Sequence, residues 1–170
     1  MDQDLPKTGV VFYSRSGHSK RIASKLAQAL HSDLLEIGAP AYANGVFGYM
    51  RAGFDSLMQN HRLAPQAFTS LAGFDRIILC GPVWTSFPAT PLRALLKGDI
   101  DLPDTVALFL TNAAHSPPAK AYATGSKDLG RSFAATACVA NSLEDTEQEG
   151  RIIERFLKDL AEVQTSSVAN

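Results

Sequence analysis

Six residues near the N-terminus, Ser14-Arg15-Ser16-Gly17-His18-Ser19, bring together three hydroxyls, a cation and a glycine. They follow a short β-branched and aromatic run, Gly9-Val10-Val11-Phe12-Tyr13, and precede a segment with apolar residues at Ile22, Ala23, Leu26, Ala29 and Leu30. The loop therefore joins a strand to the start of a helix. A helix start offers N–H groups with no intrahelical acceptor, and a glycine lets backbone approach a ligand closely. Together these suit an anion, most simply a terminal phosphate. Ser before a helix is also the preferred N-cap, which is the competing use. Three closely spaced serines exceed what one cap requires.

The same loop excludes other phosphate chemistries. It has neither the Gly-x-x-x-x-Gly-Lys-Ser/Thr of a P-loop nor the Gly-x-Gly-x-x-Gly of a dinucleotide site. No acidic residue closes the first strand, so an aspartyl-phosphate nucleophile or a Mg²⁺ ligand is lacking there, which argues against a phospho-receiver. His18, His31 and His61 have no metal-like spacing with one another or with cysteine, and no metal site is expected. Cys80 and Cys138 lie in apolar runs without a Cys-x-x-Cys pattern, and read as buried, inert thiols.

The elements that must hold this loop alternate between strand and helix. Leu34 to Ile37 reads as a second strand, Phe74 to Gly81 as the central one, Val106 to Thr111 as a fourth and Ser132 to Ala140 as a fifth. The near-continuous apolar run before Gly81-Pro82 suits a parallel strand buried on both faces. Helices are predicted over Ser19 to Leu30, Val46 to Met58, Pro88 to Leu96, Pro118 to Leu129 and Asp145 to Val163, with Pro91 tolerated in a first turn. This alternation implies an α/β fold, a doubly wound five-stranded parallel sheet with helices on both faces. Ligands of such sheets bind beyond the carboxyl ends of the strands, which points to the loops after strands one, three and four.

Composition agrees with one globular domain. The chain has 170 residues, 45% of them hydrophobic and 19% charged, enough to bury a core. Residues 1–163 are read as that domain and Gln164 to Asn170 as a disordered tail. Sixteen Lys and Arg face seventeen Asp and Glu, so no strong pull toward nucleic acid or an anionic membrane is expected. Neither a signal peptide nor a membrane span is readable, and the cytoplasm is the expected compartment.

Two segments resemble the flavodoxin-like family. Val10 to Ala23 (VVFYSRSGHSKRIA) looks like the family's FMN-phosphate segment, and Ile78 to Arg93 (ILCGPVWTSFPATPLR) like the strand-three loop that wraps the isoalloxazine ring. The resemblance implies strand order 2-1-3-4-5 with FMN at the switch point, for which flavodoxin is itself the standard illustration. It assigns Ser14, Ser16, Gly17 and Ser19 to a phosphate cradle, His18 to a backbone N–H contact, and Arg15 to added positive charge or to ordinary solvation. Pro82, Val83, Trp84, Thr85, Ser86 and Phe87 match the ring-binding loop, where Trp84 either contacts the flavin or caps the core. Thr111, Asn112, Ala113 and His115 match the loop at the pyrimidine end of the ring. His115 could donate a proton there, the competing reading being a solvated loop histidine. No second aromatic lies between Thr111 and Ser116, which leaves one flavin face open to a substrate.

Tyr42, Phe47, Tyr49, Met50, Phe54 and Met58 form an aromatic and methionine stripe after strand two. Its helical period predicts core packing, the alternatives being the flavin edge or a subunit contact. The functional expectation is an FMN-dependent oxidoreductase that takes electrons from a reduced nicotinamide, NAD(P)H, or from a redox protein, and passes them to a quinone-like acceptor. The alternatives are an electron-carrying flavodoxin, a type that is commonly strongly acidic as this chain is not, and a scaffold without flavin.

Overall fold

A computed structural model describes residues 5–42, 46–58, 65–113 and 117–168 of the chain. Among the described residues the strands are β1 (Thr8–Phe12), β2 (Asp33–Glu36), β3 (Arg76–Trp84), β4 (Phe87–Pro88), β5 (Thr105–Asn112) and β6 (Thr136–Ala140). The sheet order is β2-β1-β3-β5-β6, all parallel, with the two-residue β4 paired antiparallel to the end of β3. With β4 set aside, this is the 2-1-3-4-5 order expected from sequence.

Helices α1 (His18–Leu30) and α5 (Glu147–Val168) cover one face. The other is covered by α2 (Val46–Met58), α3 (Thr90–Lys97) and α4 (Ala119–Leu129). Alternation along β3 divides the core: Ile78 and Cys80 pack with Ile22, Leu26 and Phe156, while Ile77 and Leu79 pack with Leu92 and Leu95. Full burial of each such side chain contributes roughly 1.5–3 kcal/mol. A Cβ at Gly81 would sit 2.5 Å from Leu92 Cδ1, so glycine here lets α3 lie close on the sheet. Pro91 falls in the first turn of α3, as its missing N–H requires.

The structure departs from the sequence reading in several places. The last strand begins at Thr136 instead of Ser132, and α3 begins at Thr90 because Pro88 belongs to β4. β3 runs past Gly81 to Trp84: its pairing with β5 ends at Pro82, and the strand then turns to β4. Helix α5 continues to Val168, beyond the Val163 boundary at which the disordered tail was expected to begin. Most of the stripe on α2 is not core, because Phe47, Met50, Phe54 and Met58 are exposed. Among the described side chains of α2, the buried ones are the small Ala52 and Ser56. Tyr42, at the start of the stripe, is buried as expected, while the Tyr49 side chain lies outside the described residues. Among the described residues, no helix is long and apolar enough to cross a membrane.

Candidate functional site

Register brings the carboxyl ends of four strands level, pairing Phe12 with Cys80, Cys80 with Phe109 and Asn112 with Ala140. A cavity of about 280 Å³ opens over these ends.

The first loop supplies one wall through Arg15, Ser16, His18 and Ser19. Gly17 is the N-cap of α1, held at φ +95°, and among the described residues no side-chain hydrogen bond caps the helix. The capping use of the serines is therefore not what the structure shows. Each hydroxyl has a different role. Ser14 Oγ accepts from Gly17 N–H at 3.1 Å and shapes the turn. Buried Ser19 Oγ lies 2.7 Å from Thr111 Oγ1 and ties the loop to the end of β5. Ser16 stays exposed at the cavity wall. The result is an uncapped helix start with a hydroxyl and a guanidinium beside it, which is the arrangement that attracts an anion. Arg15 and Ser14 also line a second, more open cavity of about 390 Å³ toward Glu36 and Tyr42.

Pro82, Val83, Trp84 and Thr85 also line the cavity. Thr85 (φ +49°) and Ser86 (φ +70°) form the two-residue turn between β3 and β4, both left-handed. Such turns favour Asn-Gly, and left-handed backbone costs a non-glycine residue roughly 1–2 kcal/mol. The strain is held by α2: Ser56 Oγ lies 2.6 Å from Thr85 Oγ1 and donates to the Trp84 carbonyl at 3.1 Å. Trp84 meets Tyr13 and Tyr42 edge-on, with ring centroids 5.6 and 5.4 Å away, so it both lines the cavity and joins the core. Burial pushes the Tyr13 phenol up to about 12, leaving it neutral at physiological pH. Ser86 and Phe87 are not cavity walls, and the Phe87 ring instead receives Lys120 at 4.4 Å and Arg93 at 5.5 Å.

Thr111, Asn112 and Ala113 complete the site from β5, while His115 lies outside the described residues. Two further wall residues, Ala52 and Asn141, escaped the sequence reading. Asn141 Oδ1 is buried with no hydrogen-bond partner among the described residues. A buried acceptor of this kind is costly unless a donor reaches it. The signal for Asn141 was its position at the carboxyl end of the last strand, and for Ala52 and Ser56 their smallness at i and i+4.

Behind the first loop, an ion-pair network fastens α1 to the start of α5. His18 Nδ1 is 2.8 Å from Glu144, Arg21 bonds Glu149 through both terminal nitrogens, and Lys25 reaches Glu149 and Asp145 at 2.7 Å each. The Arg21 hydrogen bond, aided by Lys25, holds the Glu149 carboxyl down at about 2. Neither thiol is activated: burial raises both, Cys138 to about 11.

No protein-family model and no curated protein matches the sequence. Solved structures do match. A flavoprotein from Lactobacillus acidophilus NCFM, determined in complex with FMN, is 24% identical over 82% of this chain and 97% of its own, with TM-score 0.57. Two candidate flavoproteins, from Bacteroides uniformis ATCC 8492 and Bacteroides eggerthii DSM 20697, are each 20% identical, with TM-scores 0.68 and 0.66. They cover 90% and 92% of this chain and 98% of their own chains. The chain has the flavodoxin-like fold. In this flavodoxin-like chain the cavity lies beyond the carboxyl ends of the parallel strands, the position expected for a ligand site in a doubly wound sheet.

Proposed function

We propose that this chain is an FMN-binding oxidoreductase that passes electrons from NAD(P)H or a protein donor to a quinone-like acceptor. The observation that carries this reading is the uncapped start of α1, where the left-handed N-cap Gly17 stands beside Ser16 and Arg15 on the cavity wall. A phosphate monoester suits that corner, and the donors of a flavin or its ribityl chain suit the orphaned Asn141 acceptor. Trp84 offers an aromatic surface on the cavity wall, and Thr111, Asn112 and Ala113 offer polar backbone and an amide.

Bound FMN would supply a centre able to exchange one or two electrons. The protein's part is to anchor the phosphate, orient the ring and stabilise charge that gathers on it, for which fixed dipoles in a partly dry site are effective. The near balance of sixteen cations and seventeen anions favours a small acceptor over the carrier reading, since carriers commonly dock through a strongly acidic surface.

Two measurements test the proposal. FMN should bind at least about tenfold more tightly than riboflavin, which lacks the phosphate, a difference of ~1.4 kcal/mol. Equal affinities would remove the phosphate site. The FMN-loaded protein should oxidise NADH or NADPH when a quinone is supplied; no turnover with either donor over several acceptors would remove the oxidoreductase reading.

A further inference from the structure

Four large apolar side chains of α2 face away from the protein. Phe47 is 89% exposed, Met50 64%, Phe54 59% and Met58 60%. At about 100° per residue these four fall within roughly 80° of arc on one side of the helix. Ala52 and Ser56, which meet the cavity and the hairpin, fall on the other side. The stripe is therefore no wall of the site. Its four side chains expose on the order of 500 Å² per chain, taking ~150–250 Å² for each large side chain. That is at the upper end of the largest apolar patch on an ordinary monomer.

We propose that this face seats a second copy of the chain, with the two α2 helices packed antiparallel across a two-fold axis. The order of the stripe supports that occupant. An antiparallel pair centred near Ala52 sets Phe47 of each copy against Met58 of the other, and Met50 against Phe54. Every contact is then between an aromatic ring and a thioether, a favourable combination. A surface complementary to its own reversal is what an isologous interface requires. Two stripes bury together about 1,000 Å², the lower bound for a specific interface, so the dimer forms reversibly. Charge beside the stripe is balanced, because Arg51 pairs with Asp55 of its own helix at 3.5 Å. The basic face by which an amphipathic helix binds anionic lipid is thus missing. This inference does not depend on the cofactor.

The test is sedimentation velocity of the full chain from low to high micromolar concentration. Wild-type protein should shift from monomer to dimer, whereas Phe54→Glu should stay monomeric with an unchanged circular dichroism spectrum. Met50→Lys provides the same test should Phe54→Glu not fold. Under mild oxidation, an equal mixture of Met50→Cys and Phe54→Cys chains should form mixed disulfide dimers more readily than either chain alone. A wild-type monomer at every concentration would overturn the proposal, as would a dimer untouched by Phe54→Glu or Met50→Lys.

Discussion

The hydroxyls of Ser56 and Thr85 lie 2.6 Å apart, joining α2 to a turn whose two residues are both left-handed. A β-branched residue in that conformation is a genuine outlier, and strain of this kind persists only where surrounding contacts enforce it. Removing the clamp with Ser56→Ala should cost about 1–2 kcal/mol, the loss of a hydrogen bond that leaves Thr85 without that partner. Ser86→Gly should do the reverse, stabilising by roughly 1–2 kcal/mol because glycine enters the left-handed region without penalty. Thermal unfolding checks both. A loss of stability in Ser86→Gly would mean that the turn is not strained.

The corner formed by Ser16 and the α1 start is tested by charge. Ser16→Glu places a carboxylate where the phosphate should sit, and FMN affinity should fall at least about tenfold, by ~1.4 kcal/mol. Ser16 is exposed, so the fold should be undisturbed. Unchanged affinity in a fluorescence titration would move the phosphate elsewhere.

Trp84 touches the cavity and the core at once. Trp84→Ala should therefore weaken flavin binding and also lower the stability of the apoprotein, by about 1–3 kcal/mol from two lost edge-on contacts. Unfolding measured with and without FMN separates the effects. Equal losses in both states, with flavin affinity intact, would assign Trp84 to the core alone.

Acid should loosen the α1 to α5 junction. The folded Glu149 carboxyl sits at about 2 against an ordinary 4.5, because Arg21 and Lys25 bond its ionised form. The folded state thus binds this proton less readily than the unfolded chain. Its stabilisation is complete above pH 4.5 and fades as pH falls from there toward 2. Glu149→Gln should lower stability at neutral pH and flatten that acid limb. An unchanged pH profile would show the network to be energetically silent.

The sequence revealed the parallel strands because burial on both faces leaves unbroken apolar runs such as Ile77 to Cys80. It revealed the first loop because hydroxyls and a glycine at a strand end have few structural uses. It misplaced Phe47, Met50, Phe54 and Met58, since a helical apolar period reports that a face is covered without saying by what. Asn141 was marked only by its place just past the carboxyl end of the last strand, because the β5 and β6 register that brings it to the cavity is not encoded in local pattern. The separate tasks of Ser14, Ser16 and Ser19 were equally invisible, since identical side chains differ only in which partner comes within reach.

The visible absorption spectrum of freshly purified protein, repeated after adding FMN and removing what is unbound, decides whether the cavity holds flavin. Retained flavin bands, with FMN as the cofactor released on denaturation, are the expected result. A colourless protein that cannot keep added FMN would leave the fold standing and contradict the function proposed for it.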